Sequence, residues 1–163
     1  MDMARWGDLI RGIDCPYDAP RAESNDYWDL IASLRVSSLY LAKNQTYRGQ
    51  CLLIFDCRHA VRLEQLSEHE WMDFFADLLR AERAVARALR PDHMNLAVLG
   101  NIIPHLHWHV VPRYTSDPRW GAPIWPTSLA DMPDTRLDAR ERADLIGNLR
   151  YELGLQLSDT RRW

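Results

Sequence analysis

Glycine is scarce in this chain, seven residues in 163, and no two of them fall in a GxGxxG or GxxxxGK[ST] spacing. Phosphate is therefore not cradled by a glycine-rich loop at a helix start. Cysteine is scarcer still. Cys15, Cys51 and Cys57 are an odd set with no CxxC pair, which fits free, partly buried thiols in a reducing compartment better than a disulfide framework or a structural zinc site. No apolar run approaches the ~20 residues a membrane span needs. The opening stretch MDMARWGDLIRGID is broken by charges where a secretory leader has a continuous apolar core. Neither charge sign prevails: 20 basic against 23 acidic residues give −3, with no long-range pull toward nucleic acid. The expectation is a cytoplasmic protein with neither a membrane nor a nucleic acid as partner.

What is present is a chain 47% apolar and 26% charged, the balance of a globular protein, with seven tryptophans. Its length suits one core, so residues 1–163 are expected to form a single domain. Within it, 37–113 are the core, 1–36 an N-terminal helical segment and 114–163 a loop and helix extension. Residues 14–24 have the prolines and charges of a loop. Trp28, Ile31 and Leu34 recur at helical spacing after Asn25 and predict a short helix capped there. The apolar runs 37–43 and 50–55, separated by Asn44–Gly49, predict a hairpin. Ser67-Glu-His-Glu70 is a capping box opening a long helix, with Trp71, Phe74, Phe75, Leu78, Val85 and Leu89 as its apolar stripe and Pro91 as its stop. Asp73, Asp77, Arg80, Arg83 and Arg87, on the other side, are expected to face solvent. Strands are predicted over 94–99 and about 102–111, joined through Gly100-Asn101. A last helix is predicted over 138–153, capped by Asp138 with Ile146, Leu149 and Leu153 inward. The sum is an α+β fold: an antiparallel sheet of about five strands with the long helix and a C-terminal helix packed on it.

Three of the six histidines fall within five residues, Pro104-His-Leu-His-Trp-His-Val-Val-Pro-Arg113. On a strand, His105, His107 and His109 share one face, and Leu106, Trp108 and Val110 the other, which has the character of a core. A row of imidazoles about 7 Å apart, from ~3.3 Å per residue, is costly to bury unless each ring is bonded or in use. Three uses are open. The rings are structural; they hold a metal such as zinc, with His59 as a further ligand; or they act without a metal, one neutral ring attacking phosphorus while a protonated neighbour serves as acid. His59 and His69, at the start of the long helix, are otherwise expected to be surface or capping residues.

His105-Leu-His107-Trp-His109-Val-Val resembles the histidine triad (HIT) pattern, His-φ-His-φ-His-φ-φ with φ apolar, at every position. Gly100-Asn101 stands where many members have Gly-Gln. The hairpin with Asn44 and Gly49, running into Leu-Leu-Ile-Phe-Asp-Cys-Arg-His59, is similar to the family's nucleotide-side strand pair. The resemblance covers about 37–113. It implies a HIT-like fold and a nucleotide hydrolase or transferase that attacks the α-phosphorus of a nucleoside polyphosphate, dinucleoside polyphosphate or nucleoside phosphoramidate. The activity would be of diadenosine polyphosphate hydrolase or phosphoramidase type. His107 would be the nucleophile and form a nucleotidyl-histidine intermediate, His109 would contact phosphate and help protonate the leaving group, and His105 would orient them. Asn44 near base and ribose, Asn95 beside the triad, Asn101 at the phosphate loop and Gln50 are the implied binding positions. Gln50 replaces a histidine found there in several members. No cofactor is implied. The implied partners are a purine nucleotide and a second copy of the chain, with Trp163 comparable to tails that reach the partner's site. Cys15-Pro16 lacks the CxxC of branches that carry zinc near the N-terminus. A low-turnover nucleotide-binding module and a zinc protein built on the same histidines are the alternatives.

Overall fold

A computed structural model describes residues 2–117, 119–125, 131 and 133–154. Helix α1 spans Met3–Ile10, followed by strands β1 (Trp28–Ser33), β2 (Ser37–Ala42) and β3 (Cys51–Phe55), then α2 (Glu68–Leu89), β4 (His93–Val98), β5 (His107–Arg113) and α3 (Ala139–Glu152). The strands form one antiparallel sheet in the order β1-β2-β3-β5-β4, so β1 and β4 are its edges. None of the described helices is long and apolar enough to cross a membrane.

The expected α+β architecture is observed, with its hairpin, long helix and C-terminal helix. The expected short helix is not. Trp28–Ser33 is a strand, and Asn25 instead closes a turn by accepting from the backbone N–H groups of Tyr27 (2.8 Å) and Trp28 (3.0 Å). The cause is a β-bulge: Leu30 pairs with Tyr40 and Ala32 with Leu39, leaving Ile31 as the extra residue. A bulge breaks the two-residue alternation and turns consecutive residues inward, which imitates helical spacing in the sequence.

One face of the sheet carries the main core. Leu39, Leu41, Leu53, Phe55 and Val110 pack with Phe74, Leu78, Ala81 and Val85 of α2 and with Leu145 and Leu149 of α3. The capping boxes at Ser67/Glu70 and Asp138/Glu141 start these two helices as predicted. Arg90, left-handed at φ 48°, ends α2 immediately before Pro91. Asp77 corrects the expectation of a solvated charged face: it is buried and accepts from the N–H groups of Arg35 (3.2 Å) and Val36 (3.0 Å) and from Ser37 Oγ (2.7 Å). It thereby ties α2 to the β1–β2 turn. The β2–β3 connection is closed by buried Gln45, whose amide donates to the Ala42 carbonyl and whose oxygen accepts from Gly49 N–H. Gly49 has φ 89°, and a Cβ there would lie 2.0 Å from Leu89 Cδ1, so this turn docks on the end of α2 only as glycine.

Candidate active site

The opposite face of the sheet carries the histidines. The register sets His109 beside Leu52 and Ala97, and His107 beside Ile54. Two non-helical segments cover this face. Residues 14–27 lie over its β1–β3 side, where Tyr17 meets Trp28, Tyr40, Leu52 and Ile54. Residues 119–125 lie over its β4–β5 side, where Ile124 and Trp125 meet Tyr47 and Val111.

His105 is not on the strand, which begins at His107. The expected row of three on one strand face is therefore a pair plus a loop residue. The loop is held because Leu106 is 1% exposed and bridges Ala60 and Phe55 through its backbone, so position 105 turns inward beneath residues 15–18. His105 Nε2–H donates to the Phe55 carbonyl (2.8 Å), and its Nδ1 meets Asp18 Oδ1 (3.1 Å), His59 Nδ1 (3.4 Å) and Cys15 Sγ (3.8 Å).

His107 Nδ1–H donates to the His105 carbonyl (2.7 Å), so its Nε2 carries the lone pair. That Nε2 lies 3.1 Å from His109 Nε2, whose N–H is the donor. His109 Nδ1 is then a buried acceptor without a partner. Burial pushes all three imidazoles below the usual histidine range. For His107 the bond to the His105 carbonyl opposes it, and His109, next to His107, is brought down to about 3. The pair is thus neutral, with one nucleophilic nitrogen and one N–H aimed at each other. Tyr17 stands edge-on to His107 at 5.0 Å and Trp125 edge-on to His109 at 4.8 Å. Burial raises the Tyr17 hydroxyl to about 12, so it stays neutral.

The amide residues divide. Asn95 is on the histidine face of β4, its oxygen accepting from Arg113 Nη1 (2.8 Å), and Gln50, one residue before Cys51, falls on the same face by alternation. Asn44 is spent locally, donating to the Pro133 carbonyl and accepting from the backbone and hydroxyl of Thr46. Asn101 is exposed at the turn after β4 and makes no side-chain hydrogen bond among the described residues. Trp163 lies outside the described residues.

Cys15, Asp18, His59 and His105 bring one donor atom each to within 4.8 Å of one another. His105 has its tautomer fixed by the Phe55 carbonyl, as a metal-bound imidazole requires, and His59 turns its Nδ1 to the same point, 3.0 Å from Asp18 Oδ1 and 3.4 Å from His105 Nδ1. One thiol, one carboxylate and two imidazoles are a donor set that fits a transition-metal cation such as zinc. Sequence reasoning missed Asp18. Its signal was a carboxylate three residues after Cys15, where only a second cysteine was sought. His59 is likewise in this cluster rather than at a cap.

A model of the HIT domain matches residues 30–116, more than half of the chain. No curated protein matches it. Among solved structures, a histidine triad protein from Bradyrhizobium japonicum is 29% identical with a TM-score of 0.71, the match covering 77% of this chain and 90% of that one. A histidine triad protein from Sinorhizobium meliloti superposes with a TM-score of 0.70 at 18% identity, over 77% and 89% of the two chains. A zinc-bound histidine triad family protein from Mycobacterium smegmatis covers 93% of this chain and 92% of its own, at 20% identity and a TM-score of 0.55. With its paired imidazoles on β5 and this match over the sheet and α2, the chain belongs to the histidine triad family, whose members bind nucleotides.

Proposed function

We propose that this protein is a nucleotide hydrolase or nucleotidyl transferase working through a covalent intermediate on His107. The observation that carries this is the bond from His107 Nδ1–H to the His105 carbonyl, which commits Nε2 as a lone pair facing a second imidazole. The α-phosphate of the substrate enters between the two rings, and its negative charge favours the imidazolium form of His109. His107 Nε2 forms a bond to phosphorus as the bond to the leaving oxygen or nitrogen breaks, and His109 donates its Nε2 proton to that leaving atom. Water then attacks the nucleotidyl-histidine and gives its proton to His109, releasing a nucleoside monophosphate and restoring His107. His105 positions this pair through its carbonyl. Asn95 and Gln50 are the amides best placed to bind substrate, with Asn44 and Asn101 as secondary contacts after movement of their turns. A purine is the expected base.

Brief mixing of the protein with α-labelled diadenosine tetraphosphate or an adenosine phosphoramidate, followed by alkaline quench and peptide analysis, should place one adenylyl group on His107. Binding of adenosine monophosphate with no adduct would point instead to a low-turnover binding module.

A homodimer joined along β4 fits the free edge of that strand. It also fits the adjoining apolar surface of Trp71, Met72, Leu79, Leu96, Leu99 and Ile102, which are 36–56% exposed. The free thiols favour a cytoplasmic setting.

The converging donors favour a second element, a bound cation at Cys15, Asp18, His59 and His105. When bound, it would supply positive charge that neutralises the thiolate and carboxylate and would clamp residues 15–18 to the loop before β5. It leaves phosphorus chemistry to His107 and His109. Protein purified without added metal should carry about one equivalent per chain and melt lower after chelation. No metal and an unchanged melting temperature would remove this element.

A further inference from the structure

The segment that covers His109 lies beyond the part of the chain matched by the family, and it is fixed in place by one buried arginine. Arg113 donates from Nε to the Asp117 carboxylate (2.8 Å), from Nη1 to Asn95 Oδ1 (2.8 Å) and the Ala122 carbonyl (3.4 Å), and from Nη2 to the Arg119 carbonyl (2.8 Å). Its guanidinium sits over the Tyr47 ring at 4.9 Å, and the Tyr47 hydroxyl donates to the Ile124 carbonyl (2.7 Å). Two backbone carbonyls on one side and one on the other are thus pinned, and Trp125 is presented to His109.

Beside that contact is an open cleft of about 390 Å³ lined by Asn95, Leu96, Ala97, Ile124 and Trp125 among others. It adjoins the triad on the His109 side, because Ala97 pairs with His109 across the strands and Trp125 touches the same ring. Tyr17 and Trp28 lie on the other side, toward His107. Among the described residues no charged side chain lines this cleft, so none of them neutralises a bare polyphosphate there. Among the described lining residues Asn95 has a polar amide side chain. Arg113 occupies the amide oxygen, and the amide N–H₂ makes no hydrogen bond among the described residues. An indole face, aliphatic walls and a free amide donor together suit a flat ring that bears an acceptor atom.

We propose that Trp125 is a specificity-determining residue that receives a planar aromatic group carried by the leaving group, next to the imidazole that protonates it. This rests on the nucleotidyl-transfer reading above and extends it to the leaving group. The ring belongs either to an aryl-alkyl amine in a phosphoramidate or to the second base of a dinucleoside polyphosphate.

The test compares compounds sharing one adenylyl half: adenosine 5′-phosphoramidates of phenethylamine and ethylamine, diadenosine triphosphate, and ATP. Trp125→Ala should lower kcat/KM about tenfold on at least one ring-bearing substrate and less than about twofold on its ringless counterpart, the scale of one lost stacking contact. Trp125→Phe should restore most of the loss. The phenethylamide and diadenosine arms tell which source of the ring is preferred. The same compounds are then bound calorimetrically to His107→Ala and to His107→Ala/Trp125→Ala. A ring preference present in the first and absent from the second supports the inference even where no adduct forms on His107, an outcome that would defeat only the catalytic reading. An adduct on His107 with all four substrates slowed equally by Trp125→Ala overturns the inference and leaves the catalytic reading standing. Absence of any ring preference in either measurement also overturns it.

Discussion

The two faces of one sheet are built by different means. The helix-covered face is largely apolar, closed by α2 and α3, and Asp77, its deeply buried charge among the described residues, is fully bonded. The histidine face is closed by irregular segments pinned by arginines: Arg113 holds Asp117, Arg119 and Ala122, and Arg21 ties residues 14–27 to Asp56 and the Tyr40 hydroxyl. Among the described residues, buried polar atoms without partners occur on both faces: Trp108 Nε1 against α2, and His59 Nε2 and His109 Nδ1 on the second. The orphan on the helix face is an indole donor held among apolar side chains, whereas those on the histidine face are imidazole nitrogens within reach of a ligand.

The largest effect that would sharpen this contrast is on the histidine face. His107→Ala should lower turnover by roughly a thousandfold or more, measured on a purified adenosine phosphoramidate, with the urea midpoint little changed. A large stability loss there would blur the distinction between the faces. On the other face, Phe74→Ala removes a fully buried ring packed on Phe55 and should cost about 3–5 kcal/mol in urea unfolding, while activity per folded molecule holds. A fall in that specific activity would break the contrast.

Both residues are legible in the sequence, through different signals. Phe74 was evident from the stripe of α2, and His107 from alternation and the triad pattern. Helix caps and the hairpin were equally legible, because each is a local signal. Long-range arrangements were not. The bulge at Ile31 disguised β1 as a helix, and Asp77 looked like one more charge on a solvated face until the β1–β2 turn was brought against it. His105 looked like a strand residue, yet the bridging of Leu106 to Ala60 and Phe55 moves it into the loop. The fourfold donor cluster depends on residues 15–18 crossing over the sheet, which no periodicity reports.

A smaller effect concerns Asp77 itself. Asp77→Ala leaves two backbone N–H groups and a hydroxyl unpaired and should destabilise by ~1–3 kcal/mol, read by urea unfolding, with no change in specific activity. A neutral result would mean that water replaces the carboxylate. Smallest in stability is Trp71→Glu on the exposed end of α2, which should convert a dimer to a monomer in light scattering at unchanged melting temperature of the isolated subunit. An unaltered mass would move the interface away from this surface.

The central claim is that phosphorus is attacked twice, first by His107 Nε2 and then by water. The stereochemical course at an α-phosphorothioate of defined configuration, hydrolysed in oxygen-labelled water, tests it most directly. Two displacements predict overall retention at phosphorus; inversion would mean that water attacks in a single step and that His107 never carries the nucleotide.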